Sequence, residues 1–152
     1  MFNSFNISSI YVLDQDDALD FYVGKLGLEI GADIDMGFMR WLTVQVPGHP
    51  ERQVLLEKPN SPPLDEDSVT KVRELVSKGA MGFTLGLTTD DAQKTYEELS
   101  AKGVEFTQEP TEHFYGIDCG LRDPFGNSLR ITQPASGPIE IPTPEEFAAE
   151  GS

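Results

Sequence analysis

Cysteine, histidine and basic residues are the scarce components of this 152-residue chain. The one cysteine, Cys119, excludes an intrachain disulfide and a cysteine-based zinc site. It falls on the apolar side of the alternating stretch Ile117-Asp118-Cys119-Gly120-Leu121, the setting of a buried, inert thiol. The two histidines are His49, in a Pro47-Gly48-His49-Pro50 turn that reads as solvent-facing, and His113, in the stretch Glu112 to Gly116, read as a loop. Eleven Lys and Arg against 26 Asp and Glu leave a net charge of −15. A field of that sign repels nucleic-acid phosphate and anionic membrane surfaces. It either attracts a cationic ligand or simply keeps the surface solvated. No apolar run approaches membrane-spanning length, and no basic segment followed by an apolar one opens the chain, so the expected location is the cytoplasm.

What is present suffices for a core: 38% hydrophobic residues, with nine Phe, four Tyr and one Trp. The clearest local signal is Asp123-Pro124-Phe125-Gly126-Asn127. Proline presets φ for the second turn position, and Gly-Asn supplies residues that tolerate positive φ. Alternating runs flank it, with Cys119 and Leu121 before and Leu129 and Ile131 after, so the segment reads as a β-hairpin with one buried face. The other face carries Asp118, Gly120, Arg122, Ser128, Arg130 and Thr132.

In chain order, Asn6 to Val12 alternates as a strand, with Ile7, Ser9 and Tyr11 on one side. Asp14 caps a helix whose apolar face holds Ala18, Phe21, Tyr22 and Leu26, and Gly27 ends it. Short strands follow at Glu29 to Asp35, Met39 to Val46 and Gln53 to Glu57. Asn60-Ser61-Pro62-Pro63 is a breaker, and Asp65 to Ser77 has helical spacing. The opening pattern then returns. Asp90-Asp91-Ala92 to Tyr96 echoes Asp16-Asp17-Ala18 to Tyr22, and Gly103-Val104-Glu105 echoes Gly27-Leu28-Glu29. Strands are expected at Phe83 to Leu87, Glu105 to Gln108, Gly116 to Arg122 and Ser128 to Gln133. The organisation is thus a first βαβββ module over 5–59, a connector with a helix over 60–80 and a second βαβββ module over 81–134. A Pro/Glu-rich tail over 135–152 holds at most a turn of helix at Pro144 to Ala149.

Asp-Asp-Ala-x-x-Phe-Tyr, then Leu-Gly-Leu-Glu, the repeat of that unit, and a closing Asp-Pro-Phe-Gly-Asn resemble the vicinal oxygen chelate superfamily. That group includes glyoxalase I, extradiol dioxygenases, and fosfomycin and bleomycin resistance proteins. The resemblance covers about residues 5–134. It implies an α+β fold: two βαβββ modules forming a curved eight-stranded mixed sheet around a pocket, with the helices outside. Its enzymes hold a divalent metal with His or Glu on the first and last strands of each module. Carried onto this sequence, those positions fall on Ile7, Glu57, Thr84 and Arg130. Only Glu57 is a good ligand, and Arg130 is a permanent cation that repels a divalent ion. The expectation is therefore no metal and no cofactor.

The residues expected to meet a ligand are Ser9, Tyr11, Trp41, Thr43, Glu57, Thr84, His113, Tyr115, Arg122 and Arg130. Trp41 would offer an aromatic wall for a flat molecule. Arg130 would either pair with Glu57 or clamp a ligand carboxylate or enolate through its planar fork. Two functions follow. One is a protein that binds a small aromatic or polar organic molecule without metal, of the sequestration or resistance type. The alternative is an enzyme of the same superfamily, either a metal-dependent lyase or dioxygenase or a metal-free acid–base catalyst using Glu57. The expected partners are a small-molecule ligand and a second copy of the chain in a homodimer, with no nucleic acid and no membrane.

Overall fold

A computed structural model describes residues 1–60 and 62–151. Ser61, in the expected breaker, and Ser152, at the end of the expected tail, lie outside the described residues. The chain divides into two compact units. One comprises Met1–Thr84 with Arg122–Ser128, and the other Leu85–Leu121 with Leu129–Ser152. Both βαβββ motifs form, and their eight strands make two four-stranded sheets, neither of them closed into a barrel.

The first sheet has the order β1-β4-β3-β2, from β1 (Ile7–Tyr11), β2 (Glu29–Asp35), β3 (Arg40–Gln45) and β4 (Gln53–Glu57). β1 runs parallel to β4, and the other neighbours are antiparallel. Because side chains alternate across a sheet, this register puts Ser9, Tyr11, Trp41, Thr43, Leu55 and Glu57 on one face. Ile10, Leu42, Val44 and Leu56 take the other and are buried. α1 (Gln15–Leu19) packs on β4 and buries Ala18. Its cap is the expected one, with Asp14 accepting from the Asp17 N–H at 2.8 Å. The helix then continues as a π-helical segment, Asp20–Lys25, which buries Phe21 and Tyr22. α2 (Glu66–Ser77), capped by Asp65, buries Val76 near its C-terminal end.

The second sheet has the order β5-β8-β7-β6, from β5 (Phe83–Thr88), β6 (Glu105–His113), β7 (Gly116–Arg122) and β8 (Ser128–Pro134). α3 (Ala92–Ala101), capped by Asp91, packs on β6. Leu99, Val104, Cys119, Leu121, Leu129 and Ile131 are buried. The Cys119 thiol is fully enclosed, and burial pushes its pKa up, as an inert thiol requires. β6 and the tail helix run past their expected ends. β6 runs through Pro110 to His113 instead of stopping at Gln108. It is an edge strand, where a missing N–H leaves no ladder partner unsatisfied. The tail forms α4 (Pro144–Glu150), longer than one turn, because Thr143 and Glu146 make a reciprocal capping box and proline starts the helix.

The Asp-Pro-Phe-Gly-Asn turn belongs to the first unit. Asp123 Oδ1 accepts from the N–H groups of Phe125, Gly126 and Asn127 at 2.9, 3.0 and 2.8 Å. Its Oδ2 accepts from the Tyr22 hydroxyl at 2.8 Å and from Asn127 Nδ2 at 2.7 Å. Asn127 Nδ2 also donates to the Tyr11 carbonyl at 2.8 Å, which fixes the end of β1. Burial, reinforced by the neighbouring Asp123 charge, pushes the Tyr22 hydroxyl far above its ordinary pKa, so it stays a donor. Gly126 has φ +111°, and a Cβ there would stand 2.4 Å from the Val76 carbonyl of α2. The turn is therefore seated against the helix end as well.

Replacing Asp123 by Ala strands several buried donors at once and should cost about 3 kcal/mol or more. Tyr22→Phe removes one partner and leaves Asp123 Oδ2 with Asn127, so its cost should be about 1–2 kcal/mol. Urea unfolding of both variants checks the order. Equal losses would show that the turn does not depend on the carboxylate.

Candidate functional site

The first unit places Ser9, Tyr11, Trp41 and Glu57 on the face of the first sheet that its helices leave uncovered. The Ser9 hydroxyl donates to Glu57 Oε1 across the parallel β1–β4 pair. Thr43 sits on the same face but is fully buried. Its hydroxyl donates to Gln53 Oε1 at 2.8 Å, Gln53 donates to Gln45 Oε1 at 3.2 Å, and Gln45 donates to Glu29 Oε1 at 2.8 Å. A bulge in β2 at Gly31 admits this polar ladder, because a Cβ there would come 2.7 Å from Thr43 Oγ1. Thr43 thus supports the face from within.

Two adjoining cavities open in this unit, of about 250 and 560 Å³. Tyr11 and Glu57 line the smaller, together with Pro59 and Leu64. Asp14, Asp16, Asp33 and Asp35 line the larger. Phe38, Met39, Arg40 and Lys58 are common to both. Trp41 lines neither of them. Arg40 grips Asp33 with both edges of its fork, at 2.8 and 2.9 Å, and reaches Asp16 Oδ1 at 2.8 Å. These bonds hold the Asp33 carboxyl below the usual range. Sequence reasoning missed Phe38, Met39 and Arg40. The turn at Gly37 was visible, but an exposed aromatic after a turn carries no periodicity to mark it.

In the second unit the structure gathers His113, Tyr115 and Arg130, and adds Asp118 and Gln108. Arg130 was expected either to pair with Glu57 or to clamp a ligand carboxylate or enolate. The observed partners are Asp118 Oδ2, which accepts from Nε at 2.6 Å, and Gln108 Oε1, which accepts from Nη2 at 2.6 Å. Asp123 N–H bonds the Asn127 carbonyl at 3.0 Å, and the Cys119 thiol points at the Ile131 carbonyl, so the hairpin register sets Gly120 opposite Arg130. The guanidinium lies beside Gly120, where a Cβ would stand 3.4 Å from Nη1 and 3.0 Å from Thr107 Oγ1. Asp118 is diagonal to Arg130 in this register, within reach of a long side chain.

Asp118 is enclosed, its side chain 2% exposed, while Arg130 and His113 keep 34% and 30%. Burial opposes the charge on Asp118. The hydrogen bond from Arg130, a second from the Tyr115 hydroxyl and the charge of Arg130 outweigh it and hold the carboxyl below its ordinary pKa. Burial, with Asp118 beside it, pushes the Tyr115 hydroxyl up. The Tyr115 and His113 rings stack, with centroids 5.1 Å apart and planes 6° from parallel.

The remaining expected site residues are engaged in structure. Arg122 Nη1 donates to the Gly126 carbonyl at 2.8 Å inside the turn, and Thr84 donates to the Ser128 carbonyl at 2.8 Å. The four positions that the resemblance assigns to a metal do not fit one. Ile7 offers no donor atom, and Thr84 is already bonded to backbone. Glu57 takes the Ser9 hydroxyl, and Arg130 is a cation bound to a carboxylate.

The depressed Asp118 pKa fixes the sign of a pH effect. The pair with Arg130 contributes stability that is complete above about pH 4, the unfolded carboxylate range. That contribution is lost as pH falls through the lower folded value. Asp118→Asn should cost about 1.5–3 kcal/mol at neutral pH. The gap from the parent chain should close in strong acid. Urea midpoints of both proteins across this range check it, and a gap independent of pH would contradict it.

Residues 4–131 match the Glyoxalase/Bleomycin resistance protein/Dioxygenase superfamily. The chain is 37% identical over 127 residues to the uncharacterised protein YurT of Bacillus subtilis, an alignment covering 84% of this chain and 96% of that one. Among solved structures it is similar to UcmS2, with a TM-score of 0.83 and 37% identity over 88% of this chain and 99% of that one. It is also similar to TnmS3, an antibiotic binding protein from Streptomyces sp. CB03234, with a TM-score of 0.70 and 27% identity over 88% of this chain and 98% of that one. The paired βαβββ motifs, the Asp-Pro-Phe-Gly-Asn turn and these matches agree, and the chain belongs to the Glyoxalase/Bleomycin resistance protein/Dioxygenase superfamily.

Proposed function

We propose that the protein binds a small, aromatic or polar organic molecule without a metal, in the manner of a sequestering or resistance protein. The observation that carries this reading is Arg130. The superfamily's enzymes place an acidic ligand at the equivalent position, whereas this chain has a guanidinium tied to the enclosed carboxylate of Asp118. Restoring a metal there would require removing one charge and stranding the other. The likeness to TnmS3, an antibiotic binding protein, supports the same class of ligand. So does the mixed chemistry of the first unit's cavities, where Phe38 and Met39 stand among carboxylates, Arg40 and Lys58.

The reading includes a homodimer. Ile34 in β2 is 53% exposed, and Phe38 just beyond that edge strand is 65% exposed, more apolar edge than a lone chain usually leaves open. It also keeps the cytoplasm as the place of action, in line with the acidic composition and single buried thiol.

Protein purified without chelator should contain no stoichiometric metal, and soaking with Zn, Ni, Mn or Fe(II) should add none. An equimolar metal would overturn the proposal. Trp41 is the one tryptophan and lies on the uncovered sheet face, so aromatic ligands should change its emission on titration. Silence across a broad panel would count against binding in this region. Arg130→Glu should not create tight divalent-metal binding, because Ile7 and Thr84 still supply no ligand. A submicromolar metal site in that variant, read by calorimetry, would show that position 130 alone separates the chain from a metal enzyme.

A further inference from the structure

Among the buried polar atoms, two that face each other have no hydrogen bond. His113 Nε2 and Asp118 Oδ1 are 3.0 Å apart, both enclosed, yet not in hydrogen-bond geometry. Buried polar atoms in native proteins are almost always satisfied, and an exception calls for a reason such as a functional group awaiting its partner. The other Asp118 oxygen accepts from Arg130 Nε at 2.6 Å. Arg130 and the Tyr115 hydroxyl hold the carboxylate ionised, and Oδ1 faces His113. With the carboxylate facing Nε2, the ring keeps its proton on that nitrogen and turns the lone pair of Nδ1 the other way. The ring's rim remains reachable, since the His113 side chain is 30% exposed, and Tyr115 stacked on its face holds it in place.

We infer that His113 and Asp118 form, within the second unit, a proton-accepting site for an acidic hydroxyl, a phenol or enol, on a small organic molecule. The hydroxyl approaches Nδ1, because Nε2 faces Asp118. On binding, the ligand O–H bond breaks and the proton forms an N–H bond at Nδ1. The ligand is left as an oxyanion facing the imidazolium, and the imidazolium faces Asp118. No oxidant or second reactant is needed, and the charges balance. Asp118 from β7, Arg130 from β8 and the Tyr115 hydroxyl in the adjoining turn are the ionisable groups facing the pair, with Glu112 beside His113 in the chain and exposed. The Cys119 thiol, buried nearby, stays protonated. Asp118 and Arg130 act as positioning residues, and His113 is the residue that touches the ligand.

The inference rests on the reading that the chain binds a small organic molecule, and two probes separate the two claims. The full chain is titrated with 4-nitrophenol, at a pH below the probe's own pKa, and with its methyl ether, 4-nitroanisole. The phenol should bind with the visible absorption band of its phenolate, and the ether should bind at least about tenfold more weakly. His113→Gln should remove the phenolate band and weaken the phenol about tenfold or more, and its thermal melt shows whether the variant is folded. The parent spectrum alone decides the issue if the variant fails to fold. Equal binding of phenol and ether, a phenol bound without ionising, an unaltered band in the variant, or no binding of the phenol would each overturn the site. If other aromatic molecules still perturb Trp41 in those cases, the binding function stands and only the role of His113 falls.

Discussion

The Asp123 carboxylate is the constraint on which the first unit depends. One oxygen takes three successive N–H groups of its own turn, and the other takes the Tyr22 hydroxyl and the Asn127 amide. Such a turn would otherwise have to find water for its donors, yet Phe125 and Asn127 are buried. Through Tyr22 the carboxylate anchors the π-helical segment, and through Asn127 it reaches the last residue of β1. The strand that brings Tyr11 to a cavity wall therefore ends where this network holds it. The closing motif is a hydrogen-bonding device. Asp supplies five acceptor contacts, Gly clears the helix carbonyl, and Asn bridges to a second strand.

The position of Arg130 follows from the same turn. The bond from the Asp123 N–H to the Asn127 carbonyl sets the register of β7 against β8, and that register places a glycine opposite the arginine. A Cβ at 120 would crowd Thr107 Oγ1 at 3.0 Å and touch Arg130 Nη1 at 3.4 Å. With glycine there the guanidinium lies flat and meets Asp118 on one side and Gln108 on the edge strand. The cluster is thus specified by three features together: a turn that fixes register, a gap in the side-chain row, and an acid two residues from that gap.

Much of this was legible in the sequence, and the limits have physical causes. β2, β4 and β7 begin and end where alternation and turn residues say, and the Asp14 cap sits where Asp precedes an apolar-periodic run. Alternation also assigned the polar face of the β7–β8 hairpin, including Asp118. It did not reveal that Asp118 would be the partner of Arg130, because a period of two gives a face and not a neighbour across the ladder. Pro110 lies beyond the expected end of β6, and the sheet order shows that β6 is an edge where proline costs nothing. Thr43 was placed on the right face, but its burial depends on the Gly31 bulge in another strand, a feature no local pattern encodes. The cavity residues Phe38 and Met39 come from a turn, where side-chain direction is set by tertiary packing.

The pairing of Arg130 with Asp118 bears on how far this chain stands from the metal-binding members of its superfamily. A carboxylate at position 130 would meet Asp118 at contact distance, two like charges where one is enclosed. That arrangement is costly unless a cation neutralises both. Asp118 would become a competitor for such a cation, on a different strand from the usual ligand. Gln108 and Gly120 are fitted to a long, flat cation and would be left around empty space. Three strands share the accommodation of one guanidinium, with Gln108 on β6, Asp118 and Gly120 on β7 and Arg130 itself on β8.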